Sequence, residues 1–302
     1  MLVRIVAFAL LCVVPASPLF AITGGVAVDD VLSGNVATDA ADQFALARAV
    51  VGSTVSLGRL NAQGNIVSAC TATIIHPRVV LTAAHCVPEA PSASSRIVLY
   101  FGAFGGAVRR EGLDVSVHPR FADASRIPKR GNAQATSKKD RIDAARTSAD
   151  LALVLLHRPA PAPYRAVQVV PPGFRDSRQA RKIIAGFGQT SGEGKSEFPR
   201  LHFAEVIGNT RIDQGASGNS EIVLMSRFSQ GARVSTCSGD SGGPVFVVDP
   251  AGGLRQLAVA SAADEHCRGA EVFASIDSER RALRAMFESL MQGEQGGHDD
   301  PF

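Results

Sequence analysis

The stretch TCSGDSGGPVF, residues 236–246, places a serine between an aspartate and two glycines. Serine is a weak nucleophile until a neighbouring base activates it. Glycine permits a positive φ and lets a ligand approach the backbone closely. The stretch therefore predicts a nucleophile, Ser241, in a tight loop. It also raises the question of what the adjacent Asp240 does.

The composition is that of an ordinary globular protein. The 302 residues are 45% hydrophobic and 20% charged, which is enough for one large or two small domains with ample core. The formal net charge is only +3, so charge alone favours neither nucleic acid nor a membrane surface as a partner.

The N-terminal residues are typical of an export signal. Arg4 precedes an unbroken apolar run, Ile5–Val14, and Ala16 and Ala21 follow as cleavage positions. The run suits a signal peptide and is too short to span a bilayer, although a buried core helix is the alternative. We predict a signal peptide over 1–21, a short propeptide 17–21 if cleavage follows Ala16, and a secreted or periplasmic protein.

Removal of this signal also removes Cys12 and leaves an even number of cysteines. An even count in an exported chain favours disulfides, with three alternative pairings. A zinc site is the competing interpretation, but the spacings contain no CxxC pair. The four remaining cysteines are Cys70, Cys86, Cys237 and Cys267.

Short apolar segments separated by glycine, proline and polar turns predict an antiparallel sandwich or barrel. A helix is expected only at the end, over Ser278–Met291, where apolar residues share one face. A flexible tail is expected over 292–302. The expected strands are Thr54–Leu57, Ala72–Ile75, Val79–Thr82, Ile97–Phe101, Leu151–Leu156, Lys182–Ala185, Glu221–Met225, Pro244–Val248 and Leu257–Ala260.

One basic segment, Phe121–Ala149, lacks apolar periodicity and carries seven Lys or Arg against three Asp. Its length favours a surface insertion. Contact with acidic substrates or surfaces is the alternative.

Activation of a serine needs a histidine base, an acid that orients this base, and donors for an oxyanion. Three motifs provide candidates in order: LTAAHC at 81–86, DLALVLL at 150–156 and GDSGGP at 239–244. Together they resemble the trypsin-like (chymotrypsin-fold) serine peptidases. GFGQT at 186–190, HPRF at 118–121 and CRGAEVFASI at 267–276 extend the resemblance over most of the mature chain.

The resemblance implies an all-β fold of two six-stranded antiparallel β-barrels with a short C-terminal α-helix, over residues 22–291. It implies an exported serine endopeptidase that hydrolyses peptide bonds through an acyl-enzyme on Ser241. No cofactor and no metal are expected. The expected partners are polypeptide substrates and protein inhibitors, with no nucleic acid and no membrane after signal removal. The protein is expected to be a monomer.

The resemblance implies a role for each residue that matches a family motif. His85 would be the general base and later the general acid, and Asp150 would hold its tautomer. The N–H groups of Gly239 and Ser241 would form the oxyanion hole, and Ser261 would support the aspartate. The implied disulfides are Cys70–Cys86 and Cys237–Cys267.

Asp240 is then not the acid of the triad. The resemblance pairs it with a new N-terminal ammonium, and AITGG at 21–25 makes Ile22 the candidate. Cleavage after Ala21 would expose Ile22 directly. Because Ile22 lies 48 residues before Cys70, either a loop is inserted around 29–50 or the likeness at Ile22 is accidental.

The resemblance implies a primary pocket with Ser235, six residues before the nucleophile, at its base, together with Thr236 and the wall residues Ser261 and Ala263. These uncharged residues favour small or medium apolar side chains at P1, the substrate residue before the cleaved bond. Glu271 is expected on the far wall, where an acid would receive Lys or Arg. A solvated loop glutamate is the alternative.

Two other functions fit the sequence less well. A non-catalytic binding protein on the same scaffold usually lacks a triad member, whereas all three positions are filled here. An esterase with a GxSxG elbow needs a helix after the serine, and the strand-like PVFVV at 244–248 follows instead.

Overall fold

The computed structural model describes residues 22, 24–35, 40–88, 95–102, 108–126, 149–176, 180–188, 200–206, 210–214, 220–224, 234–262, 267, 271–292 and 299–302. The predicted signal peptide 1–21, the pocket residue Ala263 and residues 127–148 of the basic segment lie outside these ranges.

Strands dominate the described residues, and most of the predicted segments become strands. They are β1 (Val26–Ala27), β2 (Thr54–Asn61), β3 (Ile66–His76), β4 (Val79–Thr82), β5 (Ser95–Phe101), β6 (Val108–Val117), β7 (Ala152–Leu156), β8 (Gln168–Val169), β9 (Lys182–Gly186), β10 (His202–Val206), β11 (Thr210–Gln214), β12 (Ser220–Leu224), β13 (Pro244–Val248), β14 (Leu254–Ala262) and β15 (Val272–Ser275). The helices are α1 (Val28–Leu32), α2 (Ala40–Ser53), α3 (Pro119–Arg126) and α4 (Ile276–Met291).

The first β unit is a closed barrel with the strand order β2-β3-β4-β7-β6-β5. Every residue of β4 and β7 is buried, which explains why both read as continuous apolar runs. These two strands pair antiparallel, with Thr82 opposite Ala152. The pairing brings the turn after β4, which carries His85, next to Asp150, which lies just before β7.

The second β unit is a nine-stranded sheet with the path β1-β10-β9-β13-β14-β15-β12-β11, and β8 joins β14 in parallel. The GDSGGP motif ends where β13 begins, so β13 positions the serine loop. The all-β class and the C-terminal helix are confirmed, and the barrel and the second sheet agree with the two-barrel fold of the prediction.

The segment before the barrel, expected to hold an inserted loop, contains the helices α1 and α2. Leu46, Ala47, Val50 and Val51 of α2 are buried, and they join a core cluster that includes strand residues of the second sheet. The helical spacing of these residues is present in the sequence. The signal is weak because alanine and valine supply most of the apolar surface.

Ion pairs also fasten this helical segment to the second sheet. Arg200 lies 2.7 Å from Asp30 on α1. Arg181 lies 2.7 Å from Asp42 on α2 and 2.7 Å from Glu205 on β10. These contacts hold the chain between Ile22 and β2 against the sheet that carries the serine loop.

Helix α4 begins at Ile276, two residues before the predicted start, because the Ser275 hydroxyl caps it by accepting from the N–H of Ser278. A flexible tail over 292–302 stays a prediction, and the end of this tail contacts helix α4. Phe302 is buried edge-on to Phe287, and Arg284 pairs with Asp300. Among the residues with described positions, no helix combines the length and apolarity that crossing a membrane requires.

Candidate active site

His85 and Asp150 contact each other directly at the end of the β4–β7 pair. The Nδ1 atom of His85 lies 2.7 Å from Asp150 Oδ2, and the backbone N–H of His85 donates to Asp150 Oδ1 at 2.9 Å. The imidazole is 39% exposed whereas the carboxylate is 4% exposed. One carboxylate therefore orients both the backbone and the ring of the histidine, and leaves the ring accessible.

A third donor to Asp150 comes from the other β unit. The Ser261 hydroxyl on β14 donates to Asp150 Oδ2 at 2.6 Å. A buried carboxylate is tolerated only when hydrogen bonds or charges compensate its lost hydration. Asp150 thus receives donors from both β units.

This environment sets the protonation of His85. Burial lowers the pKa of His85, but the hydrogen bond and the negative charge of Asp150 outweigh burial, so the pKa of His85 is raised from its ordinary 6.5. The imidazolium that forms when a base accepts a proton is stabilised by the same carboxylate. This is the electrostatic condition for a general base.

The two backbone donors expected to form the oxyanion hole have no partner within the serine loop. The N–H groups of Asp240, Gly242 and Gly243 donate to the carbonyls of Cys237, Ala260 and Asp240. Within the described part of the chain, the N–H groups of Gly239 and Ser241 have no acceptor. Gly239 has φ +97°, a conformation that disfavours any side chain. Two free donors beside a partly exposed serine are suited to binding an oxyanion.

Sequence reasoning missed Thr71, which holds the serine loop against the barrel. Its Oγ1 donates to the Gly239 carbonyl at 3.0 Å and accepts from the Phe187 N–H at 3.0 Å, while its N–H donates to the Ser241 carbonyl at 2.8 Å. The sequence indicates this role of Thr71 only indirectly: Thr71 directly follows Cys70, whose disulfide is assigned to the histidine segment.

Asp240 is completely buried, and its hydrogen bonds with described residues go to residues other than His85 and Asp150. Its carboxylate accepts from the N–H groups of Cys237 and Gly188 at 2.8 Å each, and from the N–H of Ile22. Burial raises the pKa of Asp240 from 3.8 to about 7, although these hydrogen bonds oppose the rise. Gly188 is required here, since a Cβ would lie 2.6 Å from the carboxyl carbon.

Ile22 lies in the core of the second sheet. Its side chain is fully buried, and its backbone has φ +45°, which is unfavourable for a β-branched residue. The Ile22 carbonyl accepts from the N–H of Gly25 at 2.6 Å. The inserted helices α1 and α2 account for the long interval before Cys70, and Ile22 still reaches Asp240.

The predicted pocket residues Ser235, Thr236 and Glu271 lie together. Glu271 is 1% exposed, and its carboxylate accepts from the Thr236 N–H and from the hydroxyls of Ser235 and Thr236. Burial raises the pKa of Glu271 from 4.5, and these three donors oppose the rise. Glu271 is therefore not a solvated loop residue. Ser261, the other described pocket residue, has its hydroxyl engaged by Asp150.

Both implied disulfides are present, Cys70–Cys86 beside the histidine turn and Cys237–Cys267 beside the serine loop. Cys70, His85 and Cys86 are close enough to share a metal ion. Because the two sulfurs are bonded to each other, they are not available as thiolate ligands.

Comparison with known families places most of the chain in one of them. A family model described as Trypsin matches residues 49–279, which is most of the chain. The matched region includes the site residues from His85 to Glu271, which come from both β units. Ile22, α1 and the first part of α2 precede it.

The Asp150 contacts make a prediction about His85. Asp150→Asn should lower the pKa of His85 below 6.5, because burial would remain while the charge that raises the pKa would be lost. NMR titration of the His85 ring protons measures this shift. His157, on an exposed turn, serves as the internal reference, and an unchanged His85 titration would contradict the prediction.

Proposed function

The chain belongs to the trypsin family of serine peptidases, and from that premise we propose that it is an active endopeptidase that forms an acyl-enzyme on Ser241. The observation that supports this proposal most directly is the set of hydrogen bonds to Asp150. Its carboxylate accepts two hydrogen bonds from His85 and one from Ser261. A histidine held in one tautomer beside a serine loop is the arrangement that acyl transfer needs.

In this mechanism His85 takes the proton of the Ser241 hydroxyl as the oxygen attacks the substrate carbonyl. Asp150 stabilises the imidazolium, and the N–H groups of Gly239 and Ser241 bind the oxyanion. Each such donor contributes about 3 kcal/mol to transition-state stabilisation in acyl-transfer enzymes. His85 then protonates the leaving amine, and water hydrolyses the acyl-enzyme by the reverse sequence.

Ser241→Ala tests the enzyme against the alternative of a binding protein on the same scaffold. We expect wild type to react with a fluorophosphonate probe and to cleave peptides, and the variant to lose labelling and about a million-fold in kcat. Ser238→Ala, in the same loop, is the matched control and should retain labelling. A folded wild-type protein without labelling or cleavage would favour the binding protein.

We further propose that processing after Ala21 activates the enzyme through an ion pair between the Ile22 ammonium and Asp240. In the uncleaved chain Asp240 accepts only neutral donors among the described residues. A fully buried carboxylate without a cation is costly when ionised. A free ammonium would supply that cation, and cleavage would also relieve the backbone strain at Ile22.

The pH dependence of stability tests this pair. Because the pKa of Asp240 rises from 3.8 to about 7 on folding, the folded uncleaved chain retains a proton that the unfolded chain releases. Its stability should fall as the pH rises through this window, by a total on the order of 4 kcal/mol. We expect a chain starting at Ile22 to unfold at a higher temperature at pH above 7 than one starting at Ala21.

Two observations control this comparison. The difference should shrink as the pH falls toward 3.8, because Asp240 of the uncleaved chain is then protonated and no longer a buried charge without a cation, and Asp240→Asn should remove the difference. Equal unfolding temperatures for the two chains at high pH would argue against the pair, as would an active enzyme whose N-terminus is not Ile22.

We propose Lys or Arg as the P1 preference, with Glu271 as its determinant and Ser235 and Thr236 beside it. The contacts of Glu271 with both residues support an acid on the wall of the pocket, and a substrate cation would offset the cost of its burial. The uncharged Ser235 alone would instead favour small apolar side chains. A glutamate exposed to solvent would have no role in the pocket, but Glu271 is buried.

A panel of peptides that differ only at P1 distinguishes these preferences. We expect kcat/KM for Lys and Arg to exceed that for Ala and Leu by about tenfold or more, as for a charged hydrogen bond. The preference should decline as falling pH protonates Glu271. Glu271→Gln should abolish it, whereas the exposed control Glu111→Gln should not. Faster cleavage after Ala or Leu at high pH would exclude this role of Glu271.

The two disulfides also bear on the compartment in which the enzyme acts. The two disulfides fit an oxidising compartment, which supports a secreted or periplasmic enzyme released from a signal peptide over 1–21. We propose polypeptides as substrates and protein inhibitors as further partners of a monomeric enzyme, with the basic segment 121–149 as a surface insertion.

A further inference from the structure

A cavity of about 540 Å³, separate from the serine site, lies where three parts of the chain meet. Helix α2, the connector between the β units and the β13–β14 hairpin form its walls. None of its lining residues belongs to the serine site. Each wall contributes one arginine: Arg48 from α2, Arg165 from the connector and Arg255 from β14.

The charge in this cavity is not balanced by the surrounding protein. Among the residues the structure describes, Arg48 and Arg165 have no acidic partner. Arg255 donates to the Gln168 side chain at 2.7 Å and lies 3.6 Å from Asp249 Oδ2. Asp249 is the only acid lining the described cavity.

The carboxylate of Asp249 is largely engaged by its own turn. Its Oδ1 accepts from the N–H of Ala251 at 3.0 Å and from that of Gly253 at 2.8 Å. These two hydrogen bonds stabilise the β13–β14 turn and leave Asp249 only a long contact with Arg255. Three arginine side chains and one carboxylate therefore line the cavity, and the Arg48 guanidinium lies over the Phe44 ring at its edge.

The backbone beside the arginines is also satisfied. The Arg165 N–H donates to the Gly52 carbonyl at 2.7 Å, and the Ser53 hydroxyl donates to the Ala49 carbonyl at 3.1 Å. The first bond joins the connector to the end of α2, and the second lies within α2. The positions of two arginine-bearing walls are thereby fixed before any ligand arrives.

We propose that this cavity binds a soluble ligand that carries a phosphate or sulfate group. The planar guanidinium presents a fork of donors that matches the paired oxygens of such groups. Arg48 directly precedes residue 49, where the family match begins, whereas Ala49, Gly52 and Ser53 of the same helix wall lie within it. One of the three arginines is thus outside the family match, and the cavity is separate from the site of substrate cleavage.

Calorimetric titration of the Ser241→Ala protein with inorganic phosphate, sulfate and tripolyphosphate, at constant ionic strength, tests the site. We expect saturable binding, strongest for tripolyphosphate. Arg48→Gln and Arg165→Gln should each weaken it by about tenfold, as expected for a charged hydrogen bond. Arg281→Gln removes the same charge from an exposed position on α4 and should leave binding unchanged.

Two results would overturn the proposal: no saturable binding by a protein whose circular dichroism shows it folded, or an equal loss with Arg281→Gln, which would indicate general charge attraction. Sedimentation with vesicles of phosphatidylcholine and phosphatidylglycerol separates the sources of phosphate. Arginine-dependent binding to vesicles without binding to the soluble anions would also contradict a soluble ligand.

Discussion

The burial of the Asp150 carboxylate is the constraint on which the site depends. A carboxylate that is 4% exposed needs donors, and it finds them in the His85 backbone, the His85 ring and the Ser261 hydroxyl. Two of these donors lie in the β4–β7 corner of the barrel and one lies on β14. Satisfying a single charge therefore ties the two β units together at the point where the histidine ring remains accessible.

Two further buried acids organise the neighbouring loop. The consecutive N–H groups of Thr236 and Cys237 donate to Glu271 and Asp240 respectively. The negative charge of Glu271 also contributes to raising the pKa of Asp240. The same short backbone segment thus connects the proposed P1 pocket with the proposed activation pocket. A cation in either pocket would lower the cost of burying the nearby carboxylates.

Prediction from sequence succeeded where a local pattern reflects a local cause. The continuous apolar runs of β4 and β7 and the one-sided pattern of α4 identify strands and a helix because burial imposes those periods. The exposed strand β6 and the short β15 were missed, since neither has a long apolar pattern. Helix α2 was missed because alanine and valine, which are weak signals of an apolar helix face, supply three of its four buried residues in this cluster.

The sequence by itself determined the residue types of the site: a histidine, an aspartate and a serine in recognisable motifs, and an even set of cysteines. Only the tertiary structure decided which groups meet. The β4–β7 register brings His85 to Asp150, and the packing of α1 and α2 on the second sheet accommodates the long interval between Ile22 and Cys70. Glu271 is likewise buried against Ser235 by contacts across 35 residues or more. Such contacts depend on chain closure over long separations, which no local pattern encodes.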